Sequence, residues 1–405
     1  QILVFRLLPK EQAAEVFVEL DSEEQEVLIQ SFSNTELKEV LDELYLDDAV
    51  DIVEEMPANV VKRILRHADP DVRKSINEIL KYPDDCAGSI MTTEYVDLKA
   101  TMTVEDALKR IRRTGPDKET INICYVIDEG RHLLGYLSIR TILLSEEDDV
   151  VGDIMDTHVI SANTLDDQED VAQTLNKYDF LALPIVDTEN RLVGIVTVDD
   201  AMDVLTEAAA EDLSIMAAVT PDEKPYFAAS AWEHARHRVV WLLILMLSAA
   251  ITGSIITRYE DAISAVPLLV AFLPMLMDTG GNCGSQSATL VIRGLALEEI
   301  RPRDALRVIR KELAVAAIVS AVLAAANGLR IYLQYHDSAI ALVISLSLAA
   351  TVVLAKLVGC MLPIAAKQLH MDPAIMASPL ITTIVDAGAV LIYFQAAAAL
   401  LRLPV

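Results

Sequence analysis

Hydrophobic positions follow three different rhythms along this 405-residue chain, and each rhythm predicts a different kind of element. Residues 9–80 divide into six blocks of twelve, from PKEQAAEVFVEL to DPDVRKSINEIL. All but one open on a turn-favouring residue (Pro9, Asp21, Ser33, Pro57, Asp69; Tyr45 is the exception). Each closes on apolar pairs at helical spacing, such as Val16/Leu20 and Leu41/Leu44. That pattern predicts short helices stacked as a small solenoid, each burying one face against its neighbours. Taken alone, its acids Glu15, Asp47, Asp48 and Asp51 read as solvated helix faces.

The second rhythm repeats. SIMTTEYVDLKATMTVEDALKRI aligns with DIMDTHVISANTLDDQEDVAQTL at an offset of 64, and CYVIDEGRHLLGYLSIRTIL with LPIVDTENRLVGIVTVDDAM at 59 or 60. Each copy runs helix, apolar strand, polar turn, second strand, helix. The order resembles a tandem pair of cystathionine β-synthase (CBS) domains, a regulatory module. That resemblance implies adenine-nucleotide binding through a Ser/Thr-x-x-Asp carboxylate on the ribose. The second copy keeps the motif as Thr197–Asp200, whereas the first ends it on Thr141.

The third rhythm is long apolar runs. Five are long enough to cross a bilayer, at about 20 helical residues each: 239–259, 265–291, 313–333, 339–366 and 375–400. Between the soluble part and the first of them, residues 203–235 read as one partly amphipathic connecting helix. Basic residues cluster before the first run (Arg236, Arg238), between the second and third (Arg301, Arg303, Arg307, Arg310, Lys311) and between the fourth and fifth (Lys367). The positive-inside rule then puts the front half in the cytoplasm and the C-terminus outside. The fold class is therefore multidomain: an all-α N domain (1–85), two α/β CBS copies (86–147 and 148–206), a connecting helix (207–235) and a five-helix membrane domain (236–405).

Charge follows the same division. Residues 1–230 hold 50 of the 61 acidic and 20 of the 33 basic residues, a net charge of −30; residues 231–405 carry +2. Such a front half repels nucleic acid and anionic headgroups and attracts cations. The four scattered cysteines have no CxxC spacing, which argues against a disulfide framework or zinc site and suits a reducing compartment. The chain opens on Gln1, which predicts a trimmed N-terminus, and residues 1–10 lack the order of a signal peptide. Enzyme signatures are missing. WEHARHR is not HExxH, there is no GxSxG, and the Gly-rich GGNCGSQ lacks the P-loop lysine.

Two polar interruptions mark the apolar half: LPMLMDTGGNCGSQSATL (273–290) and SPLITTIVDAGA (378–389). In the first, Gly280, Gly281 and Gly284 free backbone carbonyls and permit close helix approach, and Asn282 and Gln286 add amide oxygens; ordinary small-residue packing accounts for them as well. In the second, Asp386 lies fourteen residues beyond Asp372, about 20 Å along a continuous helix. A carboxylate at that depth costs several kcal/mol unless it meets water or a cation. A cation pathway, a buried pair (Lys356 is the candidate partner) and a protonated bystander are the readings open to it.

TGGNCGSQSATLVIRGLA, MDPAIMASPLITTIVDAGAVLIYF and the order of the modules resemble the MgtE family of bacterial magnesium channels. The resemblance implies a homodimer in the bacterial inner membrane, with a pore lined by the second and fifth spans. Asp386 falls at its Mg²⁺ site, among Asp278, Gly280, Gly281, Asn282, Gly284, Gln286, Ser378 and Thr382. Ser378 departs from the family's Asn. The resemblance also implies that cytosolic Mg²⁺ closes the pore by bridging carboxylates, at Glu15, Asp47, Asp51, Glu169, Asp179, Asp200, Asp203, Glu211, Asp212 and Asp372. One family acid falls on Ala208, beside Glu207. Two subunits would bring together a charge of about −60 in all, which divalent ions would compact. Hard oxygen ligands favour Mg²⁺, with Mn²⁺ or Co²⁺ as alternative cargo. A membrane-anchored sensor without transport is the alternative of a different class.

Overall fold

The computed structural model describes residues 5–222, 226–227, 229–297, 299–376 and 378–403. They form two compact units, divided between Ala208 and Ala209. In the first unit each twelve-residue block holds one helix: α1 (Lys10–Val18), α2 (Ser22–Ser31), α3 (Asn34–Leu41), α4 (Leu46–Glu55), α5 (Ala58–His67) and α6 (Pro70–Ile79). Side chains cap three of them, with Asp21, Ser33 and Asp69 accepting from backbone N–H groups of the first turn. Such a cap contributes about 1 kcal/mol. The shared core gathers Phe17, Ile29, Leu37, Val50 and Ile64. Phe17 turns inward where the spacing favours Val16, which is exposed; the larger ring takes the core position.

The two repeats build two three-stranded sheets. The first contains β1 (Val96–Leu98), β2 (Ile123–Ile127) and β3 (Leu133–Ser138); the second contains β4 (Ala162–Asn163), β5 (Ala182–Val186) and β6 (Leu192–Thr197). β2/β3 and β5/β6 are antiparallel hairpins, and the short first strand of each sheet pairs in parallel. Those leading strands of three and two residues are too short to show a period in the sequence. Helices α7 (Val104–Thr114), α8 (Ile139–Leu144), α9 (Val151–Ile154) and α10 (Gln168–Tyr178) cover the sheets.

The copies interlock through their leading segments. Thr92 bridges Ile195, and Tyr136 bridges Asp156. Met91 is buried with the second copy's core and Met155 packs on the first's. Gly135 and Gly194 occupy one repeat position for a shared reason. A Cβ there would lie 2.6 Å from the Asp156 carbonyl oxygen, or 2.7 Å from that of Thr92.

Helix α11 (Val198–Met216) leaves β6 and crosses the division between the units. The expected single connector over 203–235 is corrected here. α11 stops at Met216, Ala218 takes a left-handed φ of 55°, and α12 (Ala231–Arg258) begins anew from a Ser230 capping box with Glu233. Pro221 explains why the helix does not resume at once, because proline lacks the N–H that a continuing helix needs.

The second unit is helical. It continues with α13 (Glu260–Ala265), α14 (Leu273–Ala296), α15 (Ala305–Tyr335), α16 (Ser338–Gln368) and α17 (Ser378–Leu401). Among the described residues four helices are long and apolar enough to cross a membrane: α12, α15, α16 and α17, the second and fourth taken with the short 3₁₀ turns before them. α14, at the second expected span, has the length of a crossing helix, and its polar motif keeps it out of that set. The stretch 265–272 ahead of it is the end of α13 and a 3₁₀ turn over Pro267–Phe272, not part of one span.

α14 is instead packed within the unit. A Cβ at Gly280 would meet Thr351 and Val385 at 2.8 Å, one at Gly281 would meet Thr382 at 2.9 Å, and one at Gly284 would meet Ile381 at 2.7 Å. On α16, a Cβ at Gly359 would lie 2.3 Å from the Gly284 carbonyl oxygen. Backbones that close leave no room for a side chain. Gly359→Val should therefore lower the thermal midpoint in detergent, at a cost of about 1–3 kcal/mol or more for overpacking. Gly253→Ala, at a site with nothing within 4 Å, should not.

Candidate cation sites

Two groups of carboxylates stand out, one in each unit. In the first unit, α4 carries Asp47, Asp48 and Asp51, the start of α11 carries Asp199 and Asp200, and the first CBS copy supplies Glu94 and Glu119. Asp47 is only 7% exposed, which corrects its reading as part of a solvated face. Burial comes first, with the charges of Asp200 and Glu119 added, and together they push its carboxyl group up to about 9. Burial and Asp199 raise Glu119 to about 8. Asp51 keeps an exposed flank, yet protein crowding its carboxyl group and the charge of Asp200 raise it to about 7. Asp48 and Asp200 rise to about 6, chiefly through burial. The charges acting on these five groups are all acidic. Outer carboxylate oxygens of Glu94 and Glu119 are buried without a hydrogen-bond partner.

A cavity of about 600 Å³ adjoins this cluster, lined by Glu11, Glu15, Glu19, Asp42, Glu43, Asp48, Glu94 and Asp117 around Tyr45 and Leu44. Glu15, exposed on α1, faces it. Asp203 is exposed on α11, within range of Asp199 and Glu19, and is raised by partial burial and their charges. Glu169 and Asp179 stand exposed at opposite ends of α10, Asp179 closing the helix at a left-handed φ of 53°. Among the described residues no three His, Cys, Asp or Glu side chains gather at metal-binding spacing. The acids lie close enough to raise one another's carboxyl groups.

The ribose-type motif of the second CBS copy belongs to the same cluster. Thr197 Oγ1 donates to Asp200 Oδ2 at 2.5 Å. In the first copy the corresponding contact joins two hydroxyls, Ser138 and Thr141, at 2.8 Å. Sequence reading missed Glu94, Glu119 and Asp199. Asp199 was visible beside Asp200, whereas Glu94 and Glu119 lie 25 residues apart, and the fold alone joins them through a Glu119 N–H donating to the Glu94 carbonyl at 2.9 Å.

In the second unit, α17 positions Asp386 eight residues beyond Ser378, about 12 Å into the helix. The chain before it is a 3₁₀ turn over Pro373–Met376, so the continuous 20 Å path from Asp372 is corrected. Asp386 is half-buried and within electrostatic range of Asp278. Asp278, Asn282 and Gln286 recur every four residues on α14, and all three are exposed. Gly280, Gly281 and Gly284 are buried on the side of α14 that packs against α16 and α17. Thr382 and Thr383 donate back to the Pro379 carbonyl at 3.0 Å. The side chain of Ser378 lies outside the described residues.

Lys356, the candidate partner of Asp386, is occupied elsewhere. Its ammonium lies 3.7 Å from Glu312 Oε2. Among the described residues, no Lys or Arg forms an ion pair with Asp386. At the end of α11, burial and the charge of Asp372 raise Asp212, with Glu211 adding and Lys367 opposing. Asp372 accepts from the Ala374 N–H at 2.7 Å.

Residues 273–396 match a family model for divalent cation transporters, residues 1–85 the MgtE intracellular N domain, and residues 87–147 and 151–207 the CBS domain. The magnesium transporter MgtE of Thermus thermophilus is 40% identical over 404 residues, 99% of this chain and 89% of that protein. Its counterpart in Bacillus subtilis is 36% identical over 95% of this chain and 85% of its own. Among solved structures, the cytosolic domain of the Mg²⁺ channel MgtE in complex with ATP is 43% identical at TM-score 0.48, covering 50% of this chain and 83% of its own. The soluble part of a magnesium transporter is 35% identical at TM-score 0.49, covering 51% and 82%.

The raised carboxyl groups carry a definite pH signature. Each is more readily protonated in the folded arrangement than free in water. Their contribution to stability is therefore fully present below about pH 4 and declines as pH rises towards about 9. Without divalent ions, trypsin should cut residues 1–208 of the full-length protein faster at pH 8.5 than at pH 6.5, after correction for the enzyme's own pH profile. Asp47→Asn should remove part of that difference.

Proposed function

The chain belongs to the MgtE family of magnesium transporters, and from that footing we propose that it is a Mg²⁺ channel whose path runs beside Asp386 and is closed by Mg²⁺ on the acidic front unit. The observation that carries the transport reading is Asp386, a carboxylate inside an apolar helical unit whose available lysine is already paired. Mg²⁺ sheds water reluctantly, so one carboxylate gripping a hydrated ion beside amide oxygens suits it better than a closed protein cage. Asp278, Asn282 and Gln286 supply such a polar face. The exposure of that face supports a homodimer, in which a second copy would bring a second Asp386 across from the first.

Closure follows from charge. Asp47, Asp48, Asp51, Asp199 and Asp200 repel one another and hold no metal geometry while unliganded. Mg²⁺ binds better to an arrangement in which they converge, and a ligand shifts a population by its difference in affinity for the two states. Rising internal Mg²⁺ therefore favours the compact, closed form. Asp212, Glu211 and Asp372 extend the same logic to the cytoplasmic end of the membrane unit. An adenine nucleotide in the second CBS copy would meet Asp200 on its ribose and compete with Mg²⁺ for that carboxylate. In this reading the acidic unit is cytoplasmic and the C-terminus of α17 lies outside, in keeping with the basic residues beside Pro302 and Lys367.

In proteoliposomes loaded with a Mg²⁺ indicator, the wild-type protein should pass Mg²⁺ and Asp386→Ala should lose at least nine-tenths of that flux. Asp386→Ala flux equal to wild type would remove Asp386 from the path. Mn²⁺ and Co²⁺, tested in the same vesicles, should pass more slowly.

A further inference from the structure

Behind the polar stripe of α14 lies an ionic group that the transport path does not use. Lys356 on α16 and Glu312 on α15 are buried inside the apolar unit, at 4% and 8% exposure. The Ser287 hydroxyl of α14 donates to Glu312 Oε2 at 2.6 Å, and Lys356 Nζ lies 3.7 Å from the same oxygen. Ser287 has no exposed surface. Three neighbouring helices are thus joined at one carboxylate oxygen.

The location gives the group its significance. At 3.6 residues per turn, Ser287 is nine residues from Asp278, half a turn round α14 from that exposed acid. Fixing Ser287 fixes the direction in which Asp278, Asn282 and Gln286 face. One turn along α16, Gly359 meets the Gly284 backbone, so the helix is gripped twice on its packed side. Lys356 also lies within electrostatic range of Cys283, inside the polar motif itself. An uncancelled ammonium there would act on cations nearby with little screening, because buried charges are shielded far less than exposed ones.

We propose that Glu312 and Lys356 form an electroneutral positioning pair for α14, in which Glu312 cancels the Lys356 charge that would otherwise repel cations and holds Ser287 so that the polar stripe faces the path. Neither residue touches the ion. The inference rests on the Mg²⁺ path assigned above to α14 and α17. Charge and shape make separable demands on it. Glu312→Gln keeps the side chain's size and hydrogen-bonding ability and leaves the ammonium unbalanced. Glu312→Gln/Lys356→Met removes both charges and nearly preserves volume. Breaking one side of a buried pair is costly, whereas replacing both sides by uncharged groups is often tolerated.

The test is Mg²⁺ flux per folded protein in proteoliposomes, at several Mg²⁺ concentrations, with the folded fraction of each variant measured by size exclusion in detergent. Glu312→Gln should reduce flux at least tenfold, with the half-saturating Mg²⁺ concentration raised, and the double variant should recover to within about threefold of wild type. Ser287→Ala, which keeps the charge balance, should leave half-saturation within about twofold and lower the maximal flux. Should Glu312→Gln not fold, the double variant alone decides, with wild-type-like flux expected. Folded Glu312→Gln with wild-type flux and half-saturation overturns the inference, as does a folded double variant that transports no better than Glu312→Gln or, where that variant is absent, at under a tenth of wild type. The path assignment fails differently, through Asp386→Ala passing Mg²⁺ as the wild type does.

Discussion

Uncompensated carboxylate charge is the constraint around which this molecule is organised. Folding removes Asp47 from water without giving it a cation, and crowds Asp48, Asp51, Asp199, Asp200 and Glu119 about it. A globular domain selected for stability alone would place lysine or arginine there. Burying an unpaired charge is among the most expensive acts in folding, and proteins normally avoid it by pairing or neutralising the group. In the closure proposed above, the unit accepts that cost in a form that a divalent cation would remove.

The apolar unit solves the opposite problem. It must bring polar groups inside helices that have no water to satisfy them. Its glycines achieve this by close packing: Gly280, Gly281, Gly284 and Gly359 pack α14 so tightly against α16 and α17 that its polar side is left as a continuous exposed stripe. Where a charge is needed inside for structure, it is paired and hydrogen-bonded, as at Lys356, Glu312 and Ser287. Asp386 forms no ion pair among the described residues, and the proposed path would give it a cation from solution as its counterion. In that proposal Glu312 serves the architecture of the helical unit and Asp386 serves transport.

Much of this was legible in the residues. Six twelve-residue blocks became six helices because cap and apolar spacing are local signals. The repeat became two like sheets, and the two polar interruptions proved to lie on α14 and α17. What could not be read was long-range. Nothing in the sequence pairs Lys356 with Glu312 across 44 residues, or says which neighbouring helices the glycines of 280–284 meet. The burial of Asp47 was equally hidden, since one acid on a helix looks solvated until another domain covers it. The two-residue strand β4 and the break after Met216 mark the limits of periodicity, although Pro221 signalled the break.

The proposed closure requires divalent ions, acting on shared carboxylates, to draw the helical domain and the CBS pair together. The native cysteines Cys86, Cys124, Cys283 and Cys360 are all buried, so introduced thiols can be labelled selectively. Spin labels can be placed at Gln12→Cys on α1, next in sequence to the cavity-lining Glu11, and at Arg113→Cys on α7, three residues before the cavity-lining Pro116; both positions are exposed. Their separation should be measured by pulsed electron resonance in the full-length protein, with and without millimolar Mg²⁺. The ionic strength should be matched with Na⁺. Closure by Mg²⁺ predicts a shorter and narrower distance distribution with Mg²⁺ and none of that change with Na⁺. An identical distribution in the two salts would contradict it.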